Sequence, residues 1–301
     1  MNQSRVFIRF ALRQQLFAVL CLLAILLLWA PLKALVGLSL QDERYTYILL
    51  VPIMSAAFIY LEKERIFGDS RYCPRVGVPL LFLGLFVFSL SRTRLSSFDN
   101  VTVAAGALVL LWIGAFTLCY GVGSFKKACF PFLFLFLVVP IPSMALDRAV
   151  SALQAGSAEL SYILFRLAGV PVLRNGMVMS LPGIDIEVAP QCSGIRSTMA
   201  LVMAGAMVSR VLLRTSWARI SAILCIGPIG IFRNAVRIVG ISLLGVYVDR
   251  SFLFGNLHRR GGLLFALVGF AVLIPLVWLL RRWERHVGDA RSGVGKFASG
   301  R

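Results

Sequence analysis

Charged residues are scarce in this chain of 301 residues: only 15% are Asp, Glu, Lys or Arg, whereas 59% are apolar and the mean hydropathy is +0.85. Soluble domains carry about 25% charged residues, so this composition excludes an ordinary soluble domain, a disordered chain, a collagen and a disulfide-stapled secreted scaffold. Apolar runs at residues 16–30, 101–120 and 263–280 approach or reach the roughly 20 residues that span a bilayer. The sequence therefore predicts an all-α polytopic membrane protein.

Acidic residues are scarcer still, with 13 Asp and Glu against 31 Lys and Arg. In a soluble protein this excess would indicate nucleic-acid binding. Membrane proteins, however, concentrate Lys and Arg in their cytoplasmic loops, so we expect no nucleic-acid partner. We predict about eight transmembrane helices, at residues 16–31, 45–61, 77–91, 101–119, 128–146, 194–213, 220–248 and 261–280.

The distribution of charge predicts how these spans are oriented. With the N-terminus inside, the cytoplasmic segments hold 18 basic and 5 acidic residues, whereas the outer segments hold 10 and 8. The prediction is a multi-pass plasma (inner) membrane protein with both termini in the cytoplasm. We expect residues 1–284 to form a single integral membrane domain and residues 285–301 to be a disordered cytoplasmic tail.

One predicted outer segment, residues 147–192, is longer than the others. Its first half, residues 147–168, mixes Leu and Ile with charged residues, a pattern typical of an amphipathic helix. Its second half, residues 170–188, favours strands and contains turn sequences at Asn175-Gly176 and Pro182-Gly183. Asn-Gly between apolar runs is a strong hairpin signal. We expect a small extracytoplasmic β-hairpin directly before the sixth span.

The six cysteines offer no disulfide pair on the outer side, because the predicted topology puts only Cys192 there. Cys192 follows Pro190 and begins a helix together with Ser193 and Gly194. The positive end of a helix favours the thiolate, which is the reactive form of cysteine. A cysteine that packs as a small apolar side chain is the alternative, and the spacing alone leaves both interpretations open.

Charged side chains inside a span are rare, yet the seventh predicted span contains Arg233 and Arg237, four residues apart on one helical face beside Asn234. Such residues usually mark a functional or water-lined interior. The alternative is that they extend to the outer headgroups. Histidines are also rare: His286 lies in the predicted tail, and His258 lies in the outer loop before the eighth span.

Three of these residues, Cys192, Arg237 and His258, come from separate segments that the predicted topology assigns to one membrane face. A thiolate can attack a carbonyl, an imidazole can transfer the proton, and a guanidinium can stabilise the oxyanion or hold a carboxylate. The set therefore suits acyl transfer. One Cys and one His are too few ligands for a metal, and the chain has no phosphate-binding glycine loop and no Cys-x-x-Cys pair, so we expect neither metal nor cofactor.

With these residues, the sequence resembles the exosortase/archaeosortase family of polytopic membrane cysteine transpeptidases, over about residues 45–269. The similarity is strongest in Phe130-Pro131, Val139-Pro140-Ile141-Pro142, Leu167-Ala-Gly-Val-Pro171, Cys192-Ser-Gly-Ile-Arg196 with its flanks, and Asn234-Ala-Val-Arg237-Ile238 followed by His258. Family members often carry Tyr-Ser-His-Gly after the first span, where this chain has Tyr45-Thr46-Tyr47-Ile48. The departure puts in doubt a role of that loop in recognition.

The resemblance implies a catalytic triad of Cys192, Arg237 and His258. It implies cleavage of a C-terminal sorting signal, made of a Pro-Glu-Pro-type motif, a transmembrane helix and a basic end, through a thioester that passes to an acceptor. The implied partners are exported proteins with such a signal, and membrane lipid. Arg196, Arg233 and Asn234 are candidates for substrate contact.

Two other functions stay open on the sequence alone. In an anion transporter or channel, Arg233 and Arg237 would bind the anion and Cys192 would be incidental. In a non-catalytic assembly factor for exported polysaccharide, the same scaffold would act without chemistry. Replacing Cys192 distinguishes both from an enzyme, because only the enzyme needs the sulfur.

Overall fold

The structure is a computed structural model that describes residues 3–68, 70–92, 97–254 and 262–298. It is mostly helical, with a small three-stranded antiparallel sheet. The chain divides into two compact units, residues Met1–Leu146 and Asp147–Arg301. This division does not test the single integral membrane domain predicted over residues 1–284, which stays a prediction.

The first unit is built around one long helix, α6. The α-helices described in this unit before Cys129 are α1 (Gln3–Leu27), α2 (Trp29–Gln41), α3 (Leu50–Leu61), α4 (Lys63–Phe67), α5 (Pro74–Leu90) and α6 (Ser97–Lys127). A 3-10 helix, Glu43–Leu49, leads directly into α3. Small residues let α5 and α6 approach closely: a Cβ atom added at Gly77 would lie 2.5 Å from the Cα atom of Leu118. Gly121 bends α6 near its end, since its φ of +86° is not helical.

After α6, α7 (Cys129–Leu135) continues as a 3-10 turn at Phe136–Val138, and the chain is then non-helical up to Ser143. The sequence predicts one span at residues 128–146, but Pro140 and Pro142 lie within it. Proline has no N–H to donate and disfavours a helical conformation in the residue before it. These two prolines account for the interruption, and the next helix, α8 (Ser143–Leu167), starts directly after them.

The second unit starts within α8, which confirms the helix predicted at residues 147–168. The buried residues of α8 form one stripe, as expected of an amphipathic helix: Leu146, Leu153, Ser157, Ala158, Ser161 and Phe165. Beyond the sheet, the described helices of this unit are α9 (Ile195–Leu212), α10 (Ser216–Leu224), α11 (Ile226–Tyr247), α12 (Ser251–Phe254) and α13 (Gly262–Ala298).

The last helix, α13, reaches Ala298, so residues 285–298 are helical where the sequence predicts a disordered tail. Helix α13 is tied to the start of α10, because the Glu284 carboxylate accepts hydrogen bonds from the main-chain N–H groups of Arg214 and Thr215. A carboxylate next to the first N–H groups of a helix satisfies donors that have no partner within that helix.

The sheet has three strands in the order β1 (Leu173–Asn175), β2 (Val178–Leu181) and β3 (Ile184–Glu187), all antiparallel. Both predicted turns are present, and each contains a glycine with positive φ: +62° at Gly176 and +81° at Gly183. The predicted single hairpin is therefore corrected to two hairpins that share β2. The buried face of the sheet packs on α8 and α11 through Met179, Leu181, Val188, Phe165 and Val239.

Eight spans are not confirmed. Five helical segments within the described ranges are long and apolar enough to cross a membrane, at Arg44–Leu61, Asp99–Lys127, Ile195–Leu212, Ser216–Tyr247 and Leu264–His286. Two bent helix pairs, Ala11–Leu27 with Trp29–Gln41 and Cys129–Val138 with Ser143–Leu167, raise the number to seven if each is one span. The remaining predicted span corresponds to α5, an apolar helix of 17 residues. These helices fit a multi-pass membrane protein.

Candidate active site

Cys192 lies at the junction between the sheet and α9. After β3 the chain forms a 3-10 turn, Pro190–Cys192, and α9 begins at Ile195. The cysteine thus precedes the helix by three residues, whereas the sequence predicts it at the helix start. Gly194 makes the turn into α9 with a φ of +79°. A Cβ atom there would lie 2.9 Å from Nη2 of Arg233 and 3.1 Å from Oδ1 of Asn234, so no other residue fits without displacement.

Asn234 holds the main chain of Cys192 in place. Its Nδ2 group donates to the Cys192 carbonyl oxygen at 2.7 Å and to Oγ of Ser157 at 3.0 Å. The side chain of Asn234 is fully buried, so these two bonds link α11 to the Cys192 turn and to α8. The sequence suggests Asn234 for substrate contact. In the structure, its hydrogen bond positions the main chain of Cys192.

The two arginines of α11 have different surroundings. Arg233 is only 1% exposed, and its Nη2 group donates to the Gly194 carbonyl oxygen at 3.4 Å. A Cβ atom added at Gly269 of α13 would lie 3.5 Å from Cδ of Arg233, so its aliphatic part is enclosed as well. Arg237 is half-buried and lines an open cleft. Arg196, in contrast, is exposed and is not among the described residues that line this cleft.

The cleft has a volume of about 200 Å³ and lies between β3 and α11. Cys192, Asn234 and Arg237 all line it, so two of the three residues of the predicted triad come together in one space. The other wall residues are Ile184, Asp185, Ile186, Glu187, Val188, Ile238, Ile241 and Ser242. A thiol and a guanidinium that face the same cavity can act on one substrate carbonyl. His258, the third residue of the predicted triad, lies outside the described residues.

The sequence did not identify three residues of the site. Ser157 accepts a hydrogen bond from Asn234, and Asp185 and Glu187 line the cleft. The pattern Ile184-Asp-Ile-Glu187 alternates apolar and acidic residues, which predicts two carboxylates on one face of a strand. That signal does not reveal that the strand borders the cysteine. Within the described part of the chain, no three His, Cys, Asp or Glu residues form a group that could hold a metal ion.

The sequence profile described as Transmembrane exosortase matches residues 39–275, which include every candidate residue of the site. The chain belongs to the transmembrane exosortase family. The resemblance drawn from the Cys-Ser-Gly-Ile-Arg and Asn-x-x-Arg-Ile motifs is thereby confirmed. No curated protein and no solved structure matches the chain. For this exosortase, family membership supports a membrane transpeptidase-like role in broad terms.

We expect Asn234→Asp to impair the site more than Ser157→Ala. The aspartate variant removes the donor that holds the Cys192 carbonyl and buries a carboxylate beside that oxygen, at a cost of about 1–3 kcal/mol or more. Ser157→Ala removes only one of the two acceptors of Asn234. The measurement is the rate of reporter processing, normalised to the amount of enzyme in the membrane. Wild-type activity of Asn234→Asp would show that the hydrogen bond to Cys192 does not position the thiol.

Proposed function

We propose that this protein is a membrane cysteine transpeptidase that cleaves C-terminal sorting signals of exported proteins. The signal would consist of a Pro-Glu-Pro-type motif, a transmembrane helix and a basic end. The observation that carries the proposal is the cleft shared by Cys192 and Arg237 in a chain of the transmembrane exosortase family. The partners would be exported proteins that carry the signal, in a lipid bilayer, and the chemistry requires neither metal nor cofactor.

In the proposed reaction the Cys192 thiolate attacks the carbonyl carbon of the scissile peptide bond. Arg237 donates N–H groups to the oxyanion that forms. The C–N bond then breaks, and the leaving amine takes a proton from His258. A thioester joins the exported protein to Cys192. An acceptor nucleophile attacks this thioester and gives its proton to His258. The C–S bond breaks, and the thiolate and the protonated histidine are both regenerated.

The proposed site faces the extracytoplasmic side of the plasma (inner) membrane, and both termini lie in the cytoplasm. The support is the excess of basic residues in the segments assigned to the inside. In this arrangement the site meets exported proteins after their main domain has crossed the membrane, and the uncut C-terminal helix keeps them nearby.

Maleimide labelling of intact cells tests this orientation. In a variant that keeps only Cys192, we expect labelling by a membrane-impermeant maleimide, because Cys192 is partly exposed and lines an open cleft. In a matched variant that keeps only Cys73, we expect labelling only after the cells are lysed. External labelling of Cys73 would reverse the orientation and put the site in the cytoplasm, where it could not act on exported proteins.

A further inference from the structure

The strand β3 is an edge of the sheet, and its unpaired side borders the active-site cleft. In the order β1-β2-β3, the described residues give β3 only β2 as a neighbour. Five consecutive residues, 184–188, line the cleft. Side chains of a strand alternate between its two faces, so a cavity that touches all five must run along the edge rather than over one face.

The register shows which main-chain groups point into the cleft. The N–H of Val188 donates to the carbonyl of Met177 at 3.0 Å, and Ile186 lies opposite Met179. Because hydrogen-bonded and non-hydrogen-bonded pairs alternate along an antiparallel ladder, residues 184, 186 and 188 pair with β2. The N–H and C=O groups of Asp185 and Glu187 point the other way, and no described residue bonds to them.

We propose that the substrate binds by adding an extended strand to the free edge of β3, which leads its scissile bond to Cys192. This inference rests on the proposed function and names how that site recognises its substrate. An edge strand is a template for an incoming chain, in which main-chain hydrogen bonds supply affinity and pockets for alternate side chains supply specificity.

The main-chain donors and acceptors on the free edge of β3 match a polypeptide main chain as the occupant. Asp185 and Glu187 each present one donor and one acceptor, about 6.7 Å apart along the strand. A lipid headgroup or a free anion has acceptors but lacks donors with that spacing. The apolar side chains of Ile238 and Ile241, on the opposite wall, suit one face of such a strand. Since β3 leads through the Pro190–Cys192 turn, a strand beside β3 ends next to the thiol.

Strand addition makes a prediction about proline in the substrate. Every second residue of the added strand must point its N–H towards β3, and the residues between point theirs away. Proline has no N–H and is tolerated only where that group faces away. In a Pro-Glu-Pro motif the two prolines are two residues apart, so both fall into the tolerated class. The residues that pair with β3 are then those with the parity of the central glutamate, that is, the glutamate itself and residues an even number of positions from it.

The test is a proline scan of an exported reporter that ends in Pro-Glu-Pro, a transmembrane helix and an arginine-rich end. Each residue in the six positions before the motif is replaced in turn by proline and by alanine, and processing by the unchanged enzyme is measured in membranes at low reporter concentration. We expect proline to lower the rate about fivefold or more below alanine at one or two of the positions with the parity of the glutamate, which corresponds to one lost hydrogen bond at each. The number is limited to two because β3 offers outward main-chain groups only at Asp185 and Glu187. At the intervening positions the two variants should agree within about twofold.

The enzyme offers a matched pair of variants. Glu187→Pro removes the outward N–H but leaves the ladder with β2 intact, and Glu187→Ala keeps that N–H. We expect the proline variant to be about fivefold slower than the alanine variant. Arg174 of β1 is not hydrogen-bonded to its partner Met179 and points its N–H away from the sheet at the opposite edge. Arg174→Pro and Arg174→Ala should therefore process the reporter at equal rates.

The outcomes separate this inference from the proposed function. Processing that persists in Cys192→Ala overturns the proposed function. Processing that depends on Cys192 but shows no alternation with position overturns strand addition alone, and points to another occupant of the edge. If Glu187→Pro does not accumulate in the membrane, the reporter scan decides, because it uses the enzyme without substitutions.

Discussion

Cys192→Ala and Cys192→Ser are each expected to lower processing of a signal-bearing reporter by roughly 10⁴-fold or more, while the enzyme stays in the membrane at its normal level. Loss of the attacking nucleophile removes the thioester route, and an unactivated serine hydroxyl does not replace a thiolate. The fold should be unaffected, since the hydrogen bonds of Cys192 in the structure are made by its main chain: its N–H donates to Ala189 and its carbonyl accepts from Asn234.

The Cys192→Ser substitution also separates the rival functions. A transporter or channel that binds anions through Arg233 and Arg237, or an assembly factor without chemistry, would keep its function in Cys192→Ser, because the serine side chain has nearly the same size. Processing is measured on an immunoblot as the decrease in the size of the reporter. The amount of enzyme in the membrane is measured in the same samples. Retention of normal processing in Cys192→Ser would show that the sulfur of Cys192 is not the nucleophile and would overturn the proposed cysteine transpeptidase.

A pair of histidine variants completes this prediction. His258→Ala is expected to abolish processing, because the leaving amine then has no proton donor. His286→Ala is the matched control: His286 is exposed on α13, and the proposed topology puts it on the opposite side of the membrane from Cys192. Loss of processing in His286→Ala together with full processing in His258→Ala would disprove the triad.

Parts of the fold that depend on local patterns could be predicted from the sequence. Long apolar runs indicate α6, α9, α11 and α13, because a bilayer requires about 20 apolar residues whatever lies around them. The turns at Gly176 and Gly183 are equally local, since a tight turn needs a residue that accepts positive φ. The position of one turn does not determine how many strands pair, and that number therefore became clear only from the structure.

Breaks within helices were harder to predict. Pro140 and Pro142 divide the fifth predicted span, but proline also occurs inside membrane helices, as Pro275 does in α13. Whether a proline breaks a helix depends on whether neighbouring groups satisfy the freed carbonyls. The sequence does not contain that information. The predicted number of eight spans is not confirmed, since the described helices support five, or seven if each bent pair is one span.

In the candidate site, too, local spacing could be predicted from the sequence, whereas contacts made by packing could not. The spacing of four residues puts Arg233 and Arg237 on one face of a helix, but the two positions are one turn apart. This distance is enough to enclose the side chain of Arg233 beside Gly194 and Gly269 and to leave that of Arg237 at the cleft. Nor does the sequence show that Asn234 bonds to the carbonyl of Cys192, 42 residues away in the chain, since that contact exists only after α11 packs against α9.

Arg237→Lys is expected to lower the processing rate per enzyme molecule by roughly 10²–10³-fold, the usual effect of losing one donor to an oxyanion. Lysine keeps the positive charge but loses the planar group that offers several N–H donors in a fixed geometry. Arg237 lines the cleft with Cys192, and the proposed reaction therefore assigns its guanidinium to the carbonyl that the thiol attacks. The charge alone would not restore the donors about 2.7–3.1 Å from the oxyanion.

Arg233→Lys is the matched variant, one turn away on the same face, and it should fail in a different way. Arg233 is enclosed, with its Nη2 group directed at the Gly194 carbonyl. The Gly194 carbonyl keeps its hydrogen bond from the Thr198 main-chain N–H in this variant. The cost falls on the lysine itself, because its charged ammonium is enclosed without the contact that the guanidinium makes, which destabilises the fold by about 1–3 kcal/mol. We therefore expect less enzyme in the membrane but a smaller loss of rate per molecule than in Arg237→Lys. The measurement is the rate of reporter processing divided by the membrane level of each variant. A normal rate per molecule for Arg237→Lys, beside an inactive Arg233→Lys, would transfer the role of oxyanion donor to Arg233.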